Sequence, residues 1–312
     1  MKIVFMGTPD FAVPCGESLW KAGHEIVAVF TQPDRPFGRK QVLKAPPVKE
    51  WALEKGIPVR QPEKIRETEY IEMLKRLAPE VIVVVAYGQI LPKSILDIPP
   101  YGCINVHASL LPKYRGAAPI NWSIIDGEKE TGVTTMFMAE GLDTGDMIQK
   151  SVLVIDPDET AGMLHDRLSV LGAELIVETV EQLRLGTAVR EAQDDSVSCY
   201  ASMLDKKLSQ IDWTKSARQI HDLVRGMNPW PVAWTEYDGK KLKIFKTSVE
   251  IVDGEPGRTP GTVGNVEKNS FTVICGIGRI RIEELQMEGG KRMTADVFLR
   301  GNEMKAGDAF GR

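Results

Sequence analysis

Six consecutive apolar residues, Val81-Ile82-Val83-Val84-Val85-Ala86, constrain this chain more than any other feature. A strand half exposed to water alternates apolar and polar side chains. An unbroken β-branched run therefore needs cover on both faces, which is the setting of a central strand in a parallel sheet. The rest of the first 185 residues fits that setting. Short apolar segments, Ile3–Met6, Ile26–Phe30 and Cys103–His107, alternate with amphipathic stretches near Phe11–Lys21, Pro47–Lys55, Ile65–Leu77 and Pro119–Asp126. This is the pattern of an α/β domain on a mostly parallel sheet. Gly132–Met138 and Met147–Ile155 read as two more strands, and a long helix follows with Thr160 as its N-cap and Leu164, Leu168, Leu171, Leu175 and Ile176 on one face.

Residues 186–205 are polar and lack periodicity, so they read as a linker. Beyond them come a helix around Ser216–Arg225 and five short alternating strands, Val232–Tyr237, Lys241–Phe245, Gly261–Val266, Phe271–Cys275 and Arg279–Leu285. Glycine-rich turns separate these strands, as in a small β-barrel. The expected organisation is a catalytic α/β domain over 1–185, a linker over 186–205 and a smaller barrel domain over 206–312. A chain of 312 residues is long enough for two cores.

The apolar and charged fractions, 43% and 26%, are those of an ordinary globular protein, which excludes disordered and membrane classes. Met1–Gly7 reads as a first strand rather than a secretory signal, because Thr8-Pro9-Asp10 ends its short apolar run. The four cysteines form no CxxC pair, which suits reduced thiols in a cytoplasmic protein. Residues 206–312 carry 18 Lys and Arg against 14 Asp and Glu, a net +4, while the remainder of the chain is at −8. A basic module of this kind suits contact with a polyanion.

Gly7-Thr8-Pro9-Asp10 ends the first strand where a Rossmann-type phosphate loop would sit, but it has one glycine instead of GxGxxG. A nucleotide-dependent oxidoreductase is disfavoured for that reason, and the expected role is a tight turn with Thr8 or Asp10 capping the next helix. Of four histidines, His24, His165 and His221 read as surface or packing residues. His107 stands apart, at the carboxyl end of a sheet strand, where open α/β folds bind ligands. Asn105, two residues earlier, points to the same face. An amide and an imidazole together offer a donor for a developing oxyanion and a proton handler. Either Asp143 or Asp146, in the loop Gly141-Leu142-Asp143-Thr144-Gly145-Asp146, can supply the acid that orients the imidazole. No second His or Cys stands at ligand spacing, so no metal is expected.

Asn105-Val-His107-Ala-Ser-Leu-Leu-Pro-Lys-Tyr-Arg115-Gly-Ala-Ala-Pro119, with Leu142-Asp143-Thr144-Gly145-Asp146 downstream, resembles the signature of the 10-formyltetrahydrofolate-dependent formyltransferases. The resemblance implies a Rossmann-like first domain and an OB-like second one. It implies catalytic roles for Asn105, His107 and Asp143, choosing Asp143 over Asp146. It also implies that Ser109, Leu110, Leu111 and Pro112 lie against the folate, and that Tyr87, Gly88, Gln89 and Ile90 line the pterin pocket.

Within that family the likeness is strongest to the branch whose acceptor is initiator methionyl-tRNA. It rests on Gly7-Thr8-Pro9-Asp10-Phe11-Ala12, on the insertion Thr31–Lys40, and on Asp212-Trp213 with Asn228-Pro229-Trp230-Pro231. Arg35, Arg39, Lys40 and Lys44 on the insertion are then expected to grip acceptor-stem phosphates. Relatives carry glycine and paired lysines where Lys40-Gln41-Val42 stands here. Lys241 and Lys243, like Arg279 and Arg281, alternate with apolar residues, so each strand is expected to offer a cationic face to nucleic acid or plain solvent. A monomeric cytoplasmic enzyme with formyl-folate as co-substrate is the expectation. The rivals are a formyltransferase acting on an amino-sugar nucleotide, a formyl-folate hydrolase, and a non-catalytic RNA-binding module.

Overall fold

Seven strands build the sheet around the apolar run. They are β1 (Lys2–Gly7), β2 (Glu25–Phe30), β3 (Val59–Arg60), β4 (Val81–Val85), β5 (Cys103–His107), β6 (Glu130–Phe137) and β7 (Met147–Val154). A computed structural model describes residues 1–38, 41–250 and 259–311. The strand order is β7-β6-β5-β4-β1-β2-β3. Strands β1 to β5 pair in parallel, and β6 and β7 add in antiparallel register. All five residues of β4 are buried, as a strand covered on both faces must be. Ala86 is not part of it: the residue is exposed with φ +47, a left-handed turn that ends the strand one residue early.

Compact units do not follow one cut in the chain. Met1–Pro119, Glu130–Val154 and His165–Ala201 form the first, and Ile120–Lys129, Ile155–Leu164 and Ser202–Arg312 the second. The Asp10–Ala12 single turn and the helices Val13–Lys21, Pro47–Glu54 and Thr68–Leu77 lie in the first. The helix Ala161–Leu185 starts as its sequence requires, with Thr160 Oγ1 accepting from the Met163 amide at 3.3 Å.

In the second unit, β8 (Trp234–Tyr237), β9 (Lys240–Glu250), β10 (Val263–Val266), β11 (Phe271–Ile274) and β12 (Arg279–Met287) form an antiparallel sheet in the order β8-β9-β12-β11-β10. Asp238 and Gly239, at φ +49 and +66, make the two-residue turn from β8 to β9. Register slips around Lys246 bend the long β9 and curl the sheet into an OB-like half-barrel. Leu242, Ile244, Ile280 and Ile282 face its core. The helix Ala217–Gly226 packs on β9 and begins with a Ser216/Gln219 capping box. Among the described residues no helix is long and apolar enough to cross a membrane.

Candidate active site

Asn105 and His107 share one face of β5 because strand side chains alternate. The β5 backbone ends at His107, and the next residues turn back so that Tyr114 O accepts from His107 Nε2 at 2.8 Å. A carbonyl can only accept, so Nε2 carries a hydrogen. The other ring nitrogen, Nδ1, faces Asp143 Oδ2 at 3.7 Å. That distance is too long for a direct hydrogen bond and leaves an interaction by charge, when the imidazole is protonated, or through a group placed between the two. The side chains are 6% and 13% exposed, and any charge interaction between them is screened less than in water.

Asp143 reaches this point from the β6–β7 loop in a left-handed conformation, φ +52, which Asp tolerates better than most residues. Its Oδ2 accepts from the Gly116 amide at 2.8 Å, and its Oδ1 from Asn105 Nδ2 at 3.4 Å. The three segments therefore converge on one carboxylate. Asp146 instead faces Arg190 Nε at 3.4 Å. Among the described residues the Asn105 side chain makes that one long bond, so its amide keeps donor capacity for a substrate oxygen.

Three supports escape inspection of the sequence. The first is Gly116, at φ +112, where a Cβ would sit 2.5 Å from the Tyr200 ring and 2.7 Å from Ala201 O. The second is Gln193, inside the segment expected to be only a linker, whose Nε2 donates to Asp143 O and Gly145 O at 2.8 Å each. The third is Thr8. It caps no helix; its hydroxyl donates to Tyr87 O at 2.9 Å and accepts from the Gln32 amide at 3.3 Å, joining the ends of three strands.

The residues expected at the folate differ in exposure. Ser109 is buried, its Oγ donating to Lys113 O at 2.7 Å, and Leu111 is buried with Met136 and Met147. Leu110 and Pro112 are half-buried. Tyr87 is buried and its hydroxyl has no hydrogen-bond partner among the described residues, while Gly88 and Ile90 are exposed. Gln89 is turned inward, accepting from the Ile65 amide at 2.7 Å and donating to Pro62 O at 2.9 Å. The insertion forms a hairpin, Arg35–Phe37 against Val42–Lys44, which periodicity did not reveal. Arg35 is exposed and 3.9 Å from Glu63, and Lys44 is exposed. Arg39 and Lys40 lie outside the described residues.

The expected cationic face of β12 is not one: Arg279 is buried and Arg281 is held by Glu250 and Glu267. His221 is buried against Thr247 Oγ1 at 3.0 Å, and burial lowers its pKa. Burial pushes the thiols of Cys15, Cys103 and Cys275 up to about 12, which leaves them protonated and unreactive. Among the described residues no group of three His, Cys, Asp or Glu side chains is placed to hold a metal ion.

The chain is similar to known proteins to different degrees. Residues 1–180 match the profile of the formyl transferases, and residues 203–303 that of the formyl transferase C-terminal domain. The methionyl-tRNA formyltransferase of Geotalea daltonii is 55% identical over 311 residues, covering 100% of this chain and 98% of that protein. That of Geobacter metallireducens is also 55% identical over 311 residues, covering 100% and 99%. Among solved structures, an N-formyltransferase from Helicobacter canadensis in complex with folinic acid and dTDP-3-aminofucose superposes with a TM-score of 0.67 at 20% identity, covering 94% of this chain and 100% of that one. HypX from Aquifex aeolicus in complex with tetrahydrofolic acid gives 0.63 at 16% identity, covering 96% and 47%. At such identities these two structures speak to the fold alone.

Proposed function

We propose, from the premise that this chain belongs to the formyl transferase family, that it transfers the formyl group of 10-formyltetrahydrofolate to the α-amino group of initiator methionyl-tRNA. Two full-length relatives at 55% identity are named methionyl-tRNA formyltransferases, which supports methionyl-tRNA as the acceptor. The observation that carries the chemistry is the convergence of Asn105 and His107, from one face of β5, with Asp143, from the β6–β7 loop.

The folate carries the formyl group on N10 and leaves as an amine. Asn105 Nδ2–H and, when protonated, His107 Nδ1–H donate to the oxygen that gains charge as the amine attacks the formyl carbon. Nδ1 has this role because Nε2 is already committed to Tyr114 O. A new C–N bond forms and the C–N10 bond breaks. The attacking amine loses one proton and N10 gains one, and Asp143 with His107 passes it along, directly or through water. The donor set fits a formyl carbonyl, since Asn105 retains unused donor capacity. Leu110, Pro112 and the Tyr87–Ile90 loop, with Ser109 and Leu111 shaping the turn behind them, are the surface we assign to the folate.

Arg35, Arg39, Lys40 and Lys44 are assigned to tRNA phosphates, and residues 206–312 to the tRNA body, with 1–185 carrying out the transfer. A charged tRNA as acceptor places the reaction in the cytoplasm. The test is acceptor competition with formyl-labelled folate. Label should enter methionyl-tRNA. Label in an amino-sugar nucleotide, or released as formate, would favour the sugar-formylating or hydrolytic alternatives.

A further inference from the structure

Gln193 stands 50 residues from Asp143 in sequence and commits its whole amide to that neighbourhood. Its Nε2 donates to Asp143 O and to Gly145 O, both at 2.8 Å. Its Oε1 accepts from Arg115 Nε at 3.0 Å and Nη2 at 2.8 Å. Two donors and two lone pairs are the full complement of a carboxamide, and all four are used. Among residues 189–197 only Gln193 is withdrawn from solvent.

These bonds close a ring. Asp143 Oδ2 accepts from the Gly116 amide, Gly116 follows Arg115, Arg115 reaches Gln193, and Gln193 returns to the Asp143 backbone. One side chain thereby holds both the turn that carries the carboxylate and the short strand Arg115–Gly116, paired in parallel with Tyr200–Ala201, that anchors it. Tying two carbonyls of one turn fixes its peptide planes, and with them the left-handed backbone at Asp143.

We propose that Gln193 is a positioning residue for formyl transfer, clamping the Asp143–Gly145 turn to the Arg115–Gly116 strand so that the carboxylate stays against Asn105 and His107. The proposal rests on the reading of Asp143 given above. A merely structural strut would lower stability without acting through Asp143.

The experiment is a double-mutant cycle in steady-state formyl transfer to methionyl-tRNA, using Gln193→Ala and Gln193→Glu, each alone and in Asp143→Ala. Gln193→Glu preserves the acceptor for Arg115 but turns a carboxylate oxygen toward two carbonyls, and it serves if the alanine variant fails to fold. Either change should lower kcat by about ten- to a hundredfold, the scale of a small misplacement of a reacting group, with KM for both substrates unmoved. In Asp143→Ala the same changes should have no further effect on rate. Wild-type kcat in both Gln193 variants, or a full further loss in the Asp143→Ala background, overturns the proposal. Wild-type activity of Asp143→Ala alone overturns the reading of Asp143 itself, so the two failures are distinct.

Discussion

His107 Nε2 donates to the carbonyl of Tyr114 at 2.8 Å, which leaves Nδ1 as the ring nitrogen turned toward Asp143. His107→Gln separates the two nitrogens, because a glutamine amide reaches the ε position but offers nothing at the δ position. It should keep the Tyr114 bond and a near-normal melting temperature. Its kcat should fall by about two to three orders of magnitude, as far as in His107→Ala. Substantially better retention of activity in the glutamine variant than in the alanine variant would assign the chemistry to Nε2 instead.

Gly116 serves the same carboxylate through its backbone. A Cβ there meets the Tyr200 ring at 2.5 Å and Ala201 O at 2.7 Å, at a φ of +112 that side chains resist. Gly116→Ala should therefore lower unfolding free energy by about 2–4 kcal/mol, combining backbone strain with overpacking. Denaturant titration measures it. A stability equal to wild type would mean that the parallel pairing of Arg115–Gly116 with Tyr200–Ala201 shifts freely.

The insertion hairpin should act on the tRNA alone. Arg35 is exposed and only 3.9 Å from an equally exposed Glu63, so that pair holds it weakly. Arg35→Ala is expected to raise KM for methionyl-tRNA and leave KM for the folate unchanged. The slope of log KM against log salt should flatten by about one unit, because one phosphate is no longer neutralised by the protein. Parallel changes in both KM values would remove the hairpin from tRNA binding.

Glu17 predicts a pH effect on stability. Trp51 Nε1–H at 2.8 Å and the Lys55 ammonium at 3.0 Å lower its pKa from 4.5 to about 2. A carboxyl depressed by folding stabilises the fold above its unfolded value, and that contribution fades as pH falls through 4.5 toward 2. The stability gap between wild type and Glu17→Gln should be widest at neutral pH and close on acidification. A gap independent of pH would contradict this.

The parts of the structure legible in the sequence are those fixed by short-range pattern. The Val81–Val85 run located the sheet centre, and a period of two placed Asn105 and His107 on one face. What was hidden depends on partners far along the chain. Arg281 looked like a free cation because Glu250, 31 residues away, binds it only after β9 and β12 pair. Gln193 looked like part of a plain connector for the same reason, and Thr8 looked like a cap because its true partner, Tyr87 O, is 79 residues on. Asp143 and Asp146 carry equal chemical credentials, and only the loop conformation turns one toward His107 and the other toward Arg190.

The central claim is that Asn105, His107 and Asp143 together move the formyl group. Single-turnover transfer of labelled formyl to methionyl-tRNA, with both substrates saturating, tests it on Asn105→Ala, His107→Ala and Asp143→Ala. Folding of each variant is checked by its melting temperature. Asn105→Ala and His107→Ala should each lose about two to three orders of magnitude in rate while remaining folded, and Asp143→Ala should be clearly slower than wild type. A folded variant at any of the three positions that transfers label at the wild-type rate would contradict it.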